Sequence, residues 1–189
     1  AAQAAYAVGY TQLFSLITWT SVGLMSAAAT IAGQNLGAGK PERSVAGAWV
    51  AARIGLGVAT VVGLAFVAVP SMLLGVFGMR DAHVLEIGSE LLRYLTVSGF
   101  FVTVALVYNG ALQGSGDSKG PFYISVVSQI VVPLGYCAAM DAAHGLRSAD
   151  IWTAIVIGHM LRCTLGVLRF RQGKWRQITV EIAAPRAGA

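Results

Sequence analysis

Apolar residues run almost unbroken along this chain, and charged residues divide them into five segments, roughly 6–32, 44–69, 88–112, 120–140 and 151–168. Each is near the roughly 20 residues that a helix needs to cross the hydrocarbon of a bilayer. The opening stretch is the clearest, since residues 1–39 contain no Asp, Glu, Lys or Arg. It leaves through a polar, glycine-rich turn, Gly33-Gln34-Asn35-Leu36-Gly37-Ala38-Gly39-Lys40-Pro41-Glu42-Arg43. Other turn-forming stretches lie at 78–83, 114–120 and 141–150. Pro41 and Pro121 stand where a helix starts without needing the N–H, and Pro70 where one stops. Pro133, inside the fourth segment, is expected to kink its helix and free a carbonyl. The pattern predicts an all-α polytopic membrane helix bundle of five transmembrane helices over residues 1–170, followed by a basic tail over 171–189.

Composition agrees. Charged residues are 11% of the chain and hydrophobic ones 56%, whereas a soluble domain carries about a quarter charged residues. The net charge of +5 does not point to nucleic acid, because the basic residues sit beside apolar spans and form no patch with interleaved aromatics. The lipid bilayer, with its anionic headgroups, is the expected partner. The chain starts with Ala inside what already reads as helix, with no signal-peptide pattern, so it is expected to be a piece of a longer protein.

Short loops rich in Lys and Arg stay in the cytoplasm. With five spans, one side holds Lys40, Arg43, Lys119, Arg169, Arg171, Lys174, Arg176 and Arg186, and the other holds Arg80 and Arg147. That imbalance predicts a multi-pass protein of the plasma (inner) membrane with the tail and both glycine-rich turns in the cytoplasm.

Gly47, Ala51, Gly55, Ala59 and Gly63 recur at every fourth position of the second segment, a small-residue ladder that lets another helix approach closely. Trp49 and Arg53 lie about 200° around from it and read as lipid-interface anchors. Cys137 and Cys163 are expected at depths too different for a disulfide. His83, His144 and His159 have no metal-ligand spacing. The glycines at 33–39 resemble a phosphate-cradling loop only superficially, since no strand precedes them and no Gly-Lys-Ser/Thr ending follows.

Ionisable residues inside a membrane are functional candidates by default. His159 and Arg162 share a face of the fifth segment; the expected readings are a satisfied core hydrogen bond for His159 and an Arg162 that snorkels to the inner headgroups. Glu86, Glu90 and Arg93 read as a solvated helix mouth with a Glu90–Arg93 pair. Uncharged polar residues are better candidates for a lining: Gln12, Ser15, Trp19, Ser26 and Thr30 on the first helix, Ser98, Val102, Ala105 and Asn109 on the third, and Gln129 on the fourth. Hydrogen bonding between helices and a solvent-filled cavity both account for them.

The Gly33–Arg43 turn, followed by Gly110-Ala111-Leu112-Gln113-Gly114-Ser115-Gly116-Asp117-Ser118, resembles the multidrug and toxic compound extrusion (MATE) transporter family. Leu92-Arg93-Tyr94-Leu95 and Pro133-Leu134-Gly135-Tyr136 are similar to it more loosely. The resemblance covers essentially the whole chain. It implies most of one lobe of a two-lobed transporter, about helices 8 to 12, with the N-terminal lobe of the same protein missing. It also implies export of drugs or other lipophilic or cationic small molecules by antiport, driven by a proton or sodium gradient without a bound cofactor or metal. Gly33, Gln34, Gly37, Gly39, Gly110, Gly114, Gly116 and Asp117 would be the family's turn residues, and Gln12, Trp19, Thr103, Asn109 and Gln129 a substrate-cavity wall. The carboxylate that some members carry on the third of these helices is replaced by Val102 and Thr103, so the coupling group is expected in the missing part. A lipid-linked oligosaccharide flippase of the same superfamily is the alternative, and a membrane enzyme a more distant one for want of a catalytic constellation.

Cysteines placed at Lys119 and Gly173 are expected to be protected from an impermeant thiol reagent in whole cells, while one at Ala142 reacts. The reverse labelling pattern would overturn the orientation.

Overall fold

The computed structural model describes residues 2–178, and among these it is helical throughout its regular structure, with no strand. Five helices are long and apolar enough to cross a membrane: Tyr6–Gly37, Pro41–Ala68, Ala82–Gly114, Lys119–His144 and Ser148–Arg171. They are the first to fifth spans below. Most run past the ends expected from sequence, because the turn-forming residues are themselves helical: Gly33, Gln34 and Gly37 close the first span, and Gly114 the third.

The two glycine-rich turns end their helices in the same way. Gly39 takes φ +68°; its N–H reaches the Leu36 carbonyl at 3.0 Å and that of Lys40 reaches Asn35 at 2.8 Å. Gly116 takes φ +92°, with Gly116 N–H on Gln113 at 3.0 Å and Asp117 N–H on Leu112 at 2.9 Å. A left-handed glycine thus lets two following amides satisfy the last carbonyls. Glycines recur at matching offsets, 33/37/39 and 110/114/116.

The second span ends at Ala68, just before Pro70 as expected, and Pro70 also opens a short helix, Pro70–Val76. Leu74 on that short helix is buried against Gly88, where a Cβ would stand 2.7 Å from Leu74 Cδ1. Just before Pro133 the fourth span takes a π turn, Val127–Val131, and α-helix resumes at Val132, a local departure from α-helix of the kind expected beside an interior proline. A second π turn, Gly9–Leu13, lies in the first span, where Phe14 N–H reaches five residues back to Gly9 at 2.9 Å.

The third span is the centre of the bundle, packed by the first, second and fifth, while the fourth lies outside against the fifth. Small residues decide who touches it. A Cβ on Gly63 would meet Thr96 Cγ2 at 2.8 Å, and one on Gly55 would overlap Thr103. The ladder of the second span is therefore its packed face. Trp49 and Arg53 are exposed on the other side, the guanidinium 5.0 Å over the indole. Contact with the first span is closer still. A Cβ on Gly110 would fall on the Met25 carbonyl, one on Gly114 on the Ala29 carbonyl, and one on Gly33 would stand 2.8 Å from the Gly114 carbonyl oxygen. Ser21 and Thr103 share a buried hydrogen bond of 2.8 Å across this seam, and Ser44 donates to Ala32 at 3.0 Å. Large apolar side chains such as Val61, Leu64 and Leu134 are left exposed, which suits lipid contact.

The tail expected from residue 171 begins later. Helix continues to Arg171, and the turn Lys174–Gln177 returns Trp175 to the bundle, its ring stacked 4.8 Å from Phe170 and its indole N–H on the Phe170 carbonyl at 2.8 Å. A buried tryptophan, not the surrounding charge, decides that boundary. Residues 179–189 of the expected tail, with Glu181 and Arg186, lie outside the described residues. Cys137 and Cys163 are unpaired.

Gly114→Ala should cost about 1–3 kcal/mol of stability, because the added methyl falls on backbone that cannot rotate away. Gly57→Ala, with nothing within 4 Å, should be neutral or slightly stabilising. Unfolding of the detergent-solubilised protein checks this; equal effects would mean that the first and third spans do not meet at Gly114.

Candidate functional site

Gly158, Arg162 and Gly166 follow at every fourth residue of the fifth span and so share a face. A Cβ on Gly158 would stand 2.7 Å from the Ser128 carbonyl oxygen and 3.4 Å from Gln129 Nε2, and one on Gly166 3.1 Å from Asn109 Oδ1. The glycines thus admit Gln129 of the fourth span and Asn109 of the third, one turn to either side of Arg162. At 1.5 Å per residue each approach lies about 6 Å from it along the axis.

These side chains are short of partners. Asn109 is 0% exposed and His159 4%. Both polar atoms of Asn109, Gln129 Nε2, Trp152 Nε1, His159 Nδ1, Arg162 Nε and the Ser98 hydroxyl are buried without a hydrogen-bond partner. Ser98 lies eleven residues before Asn109, which returns it to nearly the same face of the third span. The hydrogen bond expected to satisfy His159 is therefore missing at Nδ1; the ring packs on Phe14 instead, 6.0 Å between centroids. Arg162 is half-buried, and its Nε has no hydrogen-bond partner.

An aromatic ladder leads to the same place. Tyr6, Tyr10 and Phe14, four residues apart on the first span, follow one another at 5.0 and 5.5 Å, and Trp152 stacks on Tyr6 at 5.8 Å. Their spacing was visible in the sequence, but nothing there said that the fifth span would meet them. Beside Tyr6 and Trp152 a mostly apolar cleft of about 320 Å³ opens, lined also by Gln3, Ser148 and Ile151.

Arg169 shares the face of Arg162, seven residues on, and its surroundings differ. Its Nε lies 2.8 Å from Asp117 Oδ2, with Asp117 only 6% exposed. Asp117 Oδ1 accepts the Gly120 N–H at 3.0 Å, and a Cβ at Gly120 would crowd all three groups, 2.9 Å from Oδ2. The motif aspartate therefore ties the start of the fourth span to the end of the fifth. Among the described residues the only other ion pair is Glu42–Arg176, exposed, at 2.8 Å. The expected Glu90–Arg93 pair is not formed; both side chains point to the surface around a cleft shared with Glu86 and Ser89.

The five residues expected to share a cavity wall fall into three places. Gln12 and Trp19 lie on the exposed face of the first span with Ser26 and Thr30, Trp19 at 73% exposure. Thr103 is sealed in the seam with Ser21. Asn109 and Gln129 flank Arg162. The motif glycines Gly33, Gly110 and Gly114 form helix contacts, Gly39 and Gly116 supply the left-handed turns, and Gly37 and Gln34 stay at the surface. Among the described residues no three His, Cys, Asp or Glu side chains gather as a metal site.

A family model described as MatE matches residues 1–137. A probable multidrug resistance protein NorM of Thermotoga maritima is 25% identical over 169 residues, covering 88% of this chain and 36% of the relative. Its namesake in Mannheimia succiniciproducens is 29% identical over 148 residues, covering 76% and 31%. The chain therefore spans about a third of the length of these relatives. The crystal structure of the eukaryotic MATE transporter AtDTX14 superposes with a TM-score of 0.80 at 20% identity, covering 93% of this chain and 39% of that one, a likeness of fold.

Asp117→Ala should lower stability by about 1.5–3 kcal/mol, since it removes a nearly buried charged hydrogen bond and a helix cap together. Glu42→Ala, at an exposed pair, should cost less than about 1 kcal/mol. Thermal unfolding of the two variants decides; a larger loss at Glu42 would contradict the Asp117 clasp.

Proposed function

The chain belongs to the MatE family, and on that premise we propose that the full-length protein is a secondary active transporter. It exports drugs or other lipophilic or cationic small molecules by antiport against a proton or sodium gradient, from the plasma (inner) membrane, with its glycine-rich turns and C-terminal end in the cytoplasm. What carries the reading is a five-span bundle that follows the fold of a MATE transporter over 93% of its length, together with relatives named for multidrug resistance.

The chemistry of the chain supports it. The polar face of the first span, with Gln12, Trp19, Ser26 and Thr30 outward, offers a lipophilic cation an aromatic ring and uncharged hydrogen-bonding groups, and it is the surface we assign to the passage of substrate. All described acids, Glu42, Asp81, Glu86, Glu90, Asp117, Asp141 and Asp150, lie in turns or near helix ends. Glu90, the furthest in, is the ninth residue of a 33-residue helix. A gradient-driven exporter needs a group whose charge or cation occupancy changes with the access state, and this proposal places that group in the remainder of the protein. A flippase for a lipid-linked oligosaccharide would call for several cations on one cavity to hold a pyrophosphate; Arg53, Arg93 and Arg162 stand on three different spans, and the first two are exposed.

Export of a lipophilic cation by the full-length protein should keep its coupling stoichiometry in Asp117→Asn and in Glu90→Gln, even where Asp117→Asn slows turnover by loosening the clasp. Loss of proton or sodium dependence in either variant, with substrate binding intact, would place the coupling site in this chain and reject the assignment.

A further inference from the structure

The fourth span is built in two halves that are held differently. Its inner half starts at the Asp117 clasp, where Oδ1 accepts the Gly120 N–H at 3.0 Å and Oδ2 accepts from Arg169 Nε at 2.8 Å, and it meets both the third and the fifth spans. Pro121 and Ser128 are buried there. The outer half, Val132–His144, leans on the fifth span and buries no residue. Between the halves the hydrogen-bond ladder is broken. In the π turn the Val132 N–H reaches back to Val127, and the next amide in line for the Ser128 carbonyl would be that of residue 133, a proline without one. That carbonyl faces bare backbone instead: a Cβ on Gly158 would stand 2.7 Å from the Ser128 oxygen and 3.1 Å from Pro133 Cγ. Next to Gly158, the His159 ring packs on Phe14 of the first span, 6.0 Å between centroids, so the fifth span is supported where the fourth rests on it.

We propose that residues 127–133 are a hinge on which the outer half of the fourth span, Val132–His144, swings against the fifth with the Ser128–Gly158 contact as its pivot, while the inner half stays in the Asp117 clasp. Helices bend at proline and at π turns, and here both lie beside the closest approach of the two spans. Because Gly158 has no side chain, the Ser128 carbonyl turns over the fifth span without striking one. The far end of the arm is tethered by residues 145–147, a short exposed loop in which Gly145 takes φ +79°, and this tether bounds the swing. A bend of about 20° in an arm of about 20 Å moves its end by about 7 Å. Gln129 rides in the hinge with its Nε2 buried and without a partner, 3.4 Å from the same Cβ position on Gly158, so the swing changes what this amide meets.

Distances within the bundle report this hinge whether or not the full-length protein exports drugs, so its failure is distinct from failure of the transport reading. The full-length protein in detergent, with Cys137, Cys163 and any other cysteine replaced, would carry pairs of nitroxide labels at exposed positions. One pair, Glu86 with Ala139, spans the third span and the outer half of the fourth; the other, Lys40 with Phe122, reports on the inner half. Pulsed electron–electron resonance should give an outer distance distribution spread over about 7 Å and a narrow inner one. Pro133→Ala restores an amide to the broken ladder and should narrow the outer distribution to the inner width. Gly158→Ala puts a methyl against the Ser128 carbonyl and should displace the outer mean, leaving the inner one in place. Where Pro133→Ala does not accumulate, Pro133→Ser restores the same amide and is read in the same way. An outer pair as narrow as the inner, an inner pair as broad as the outer, or an outer spread indifferent to residue 133 would overturn the hinge; an outer mean indifferent to Gly158→Ala would overturn its pivot.

Discussion

Backbone touching backbone between the first and third spans is the constraint on which the rest of this bundle depends. Gly110 and Gly114 lie under the Met25 and Ala29 carbonyls, and Gly33 under that of Gly114. In lipid, helices gain nothing by hiding apolar surface from water, so close packing and hydrogen bonds must hold them. Contact at this range multiplies weak attractions along both backbones and brings Ser21 and Thr103 to hydrogen-bonding distance. The second span then fits its own ladder of small residues against Thr96 and Thr103. The motif glycines serve two ends at once. Gly33, Gly110 and Gly114 allow approach, and two residues beyond Gly37 and Gly114 the left-handed glycines end each helix.

That seam also presents the other face of the third span, with Ser98, Val102, Ala105 and Asn109, to the fifth. This face is buried, and the side chains of Ser98 and Asn109 have no hydrogen-bond partner on it. Partnerless polar atoms of the third, fourth and fifth spans lie along the fifth span, and an aromatic ladder from the first span packs on His159. The π turn at Val127–Val131 belongs to the same construction, since it carries Gln129. Such turns often mark functional positions in helices.

Charge is handled in two ways along one helix. At its end Arg169 is matched by Asp117, which also caps the fourth span; further in, Arg162 is left unmatched. A pair near the surface tolerates water and costs little, whereas an unmatched arginine in a span reaches polar surroundings by extending along its helix.

The sequence by itself determined the class of fold, the number of spans, the packed face of the second span and the positions of both glycine-rich turns. It could do so because hydropathy, small-residue spacing and the left-handed preference of glycine are local properties, legible within one helix. The same is true of the distance of each acid from its helix end. Only the tertiary structure decided that Gln12 and Trp19 stay outside, that Thr103 is sealed against Ser21, that Pro70 opens a helix, that Trp175 recaptures the start of the tail, and that Asn109 and Gln129 meet the fifth span at Gly166 and Gly158. A helix face is computed from sequence, but the helix it meets is chosen by which backbones can come closest. That choice rests on glycines far apart in the chain, Gly33 and Gly114, Gly158 and Gly166, whose significance lies in the atoms of their neighbours.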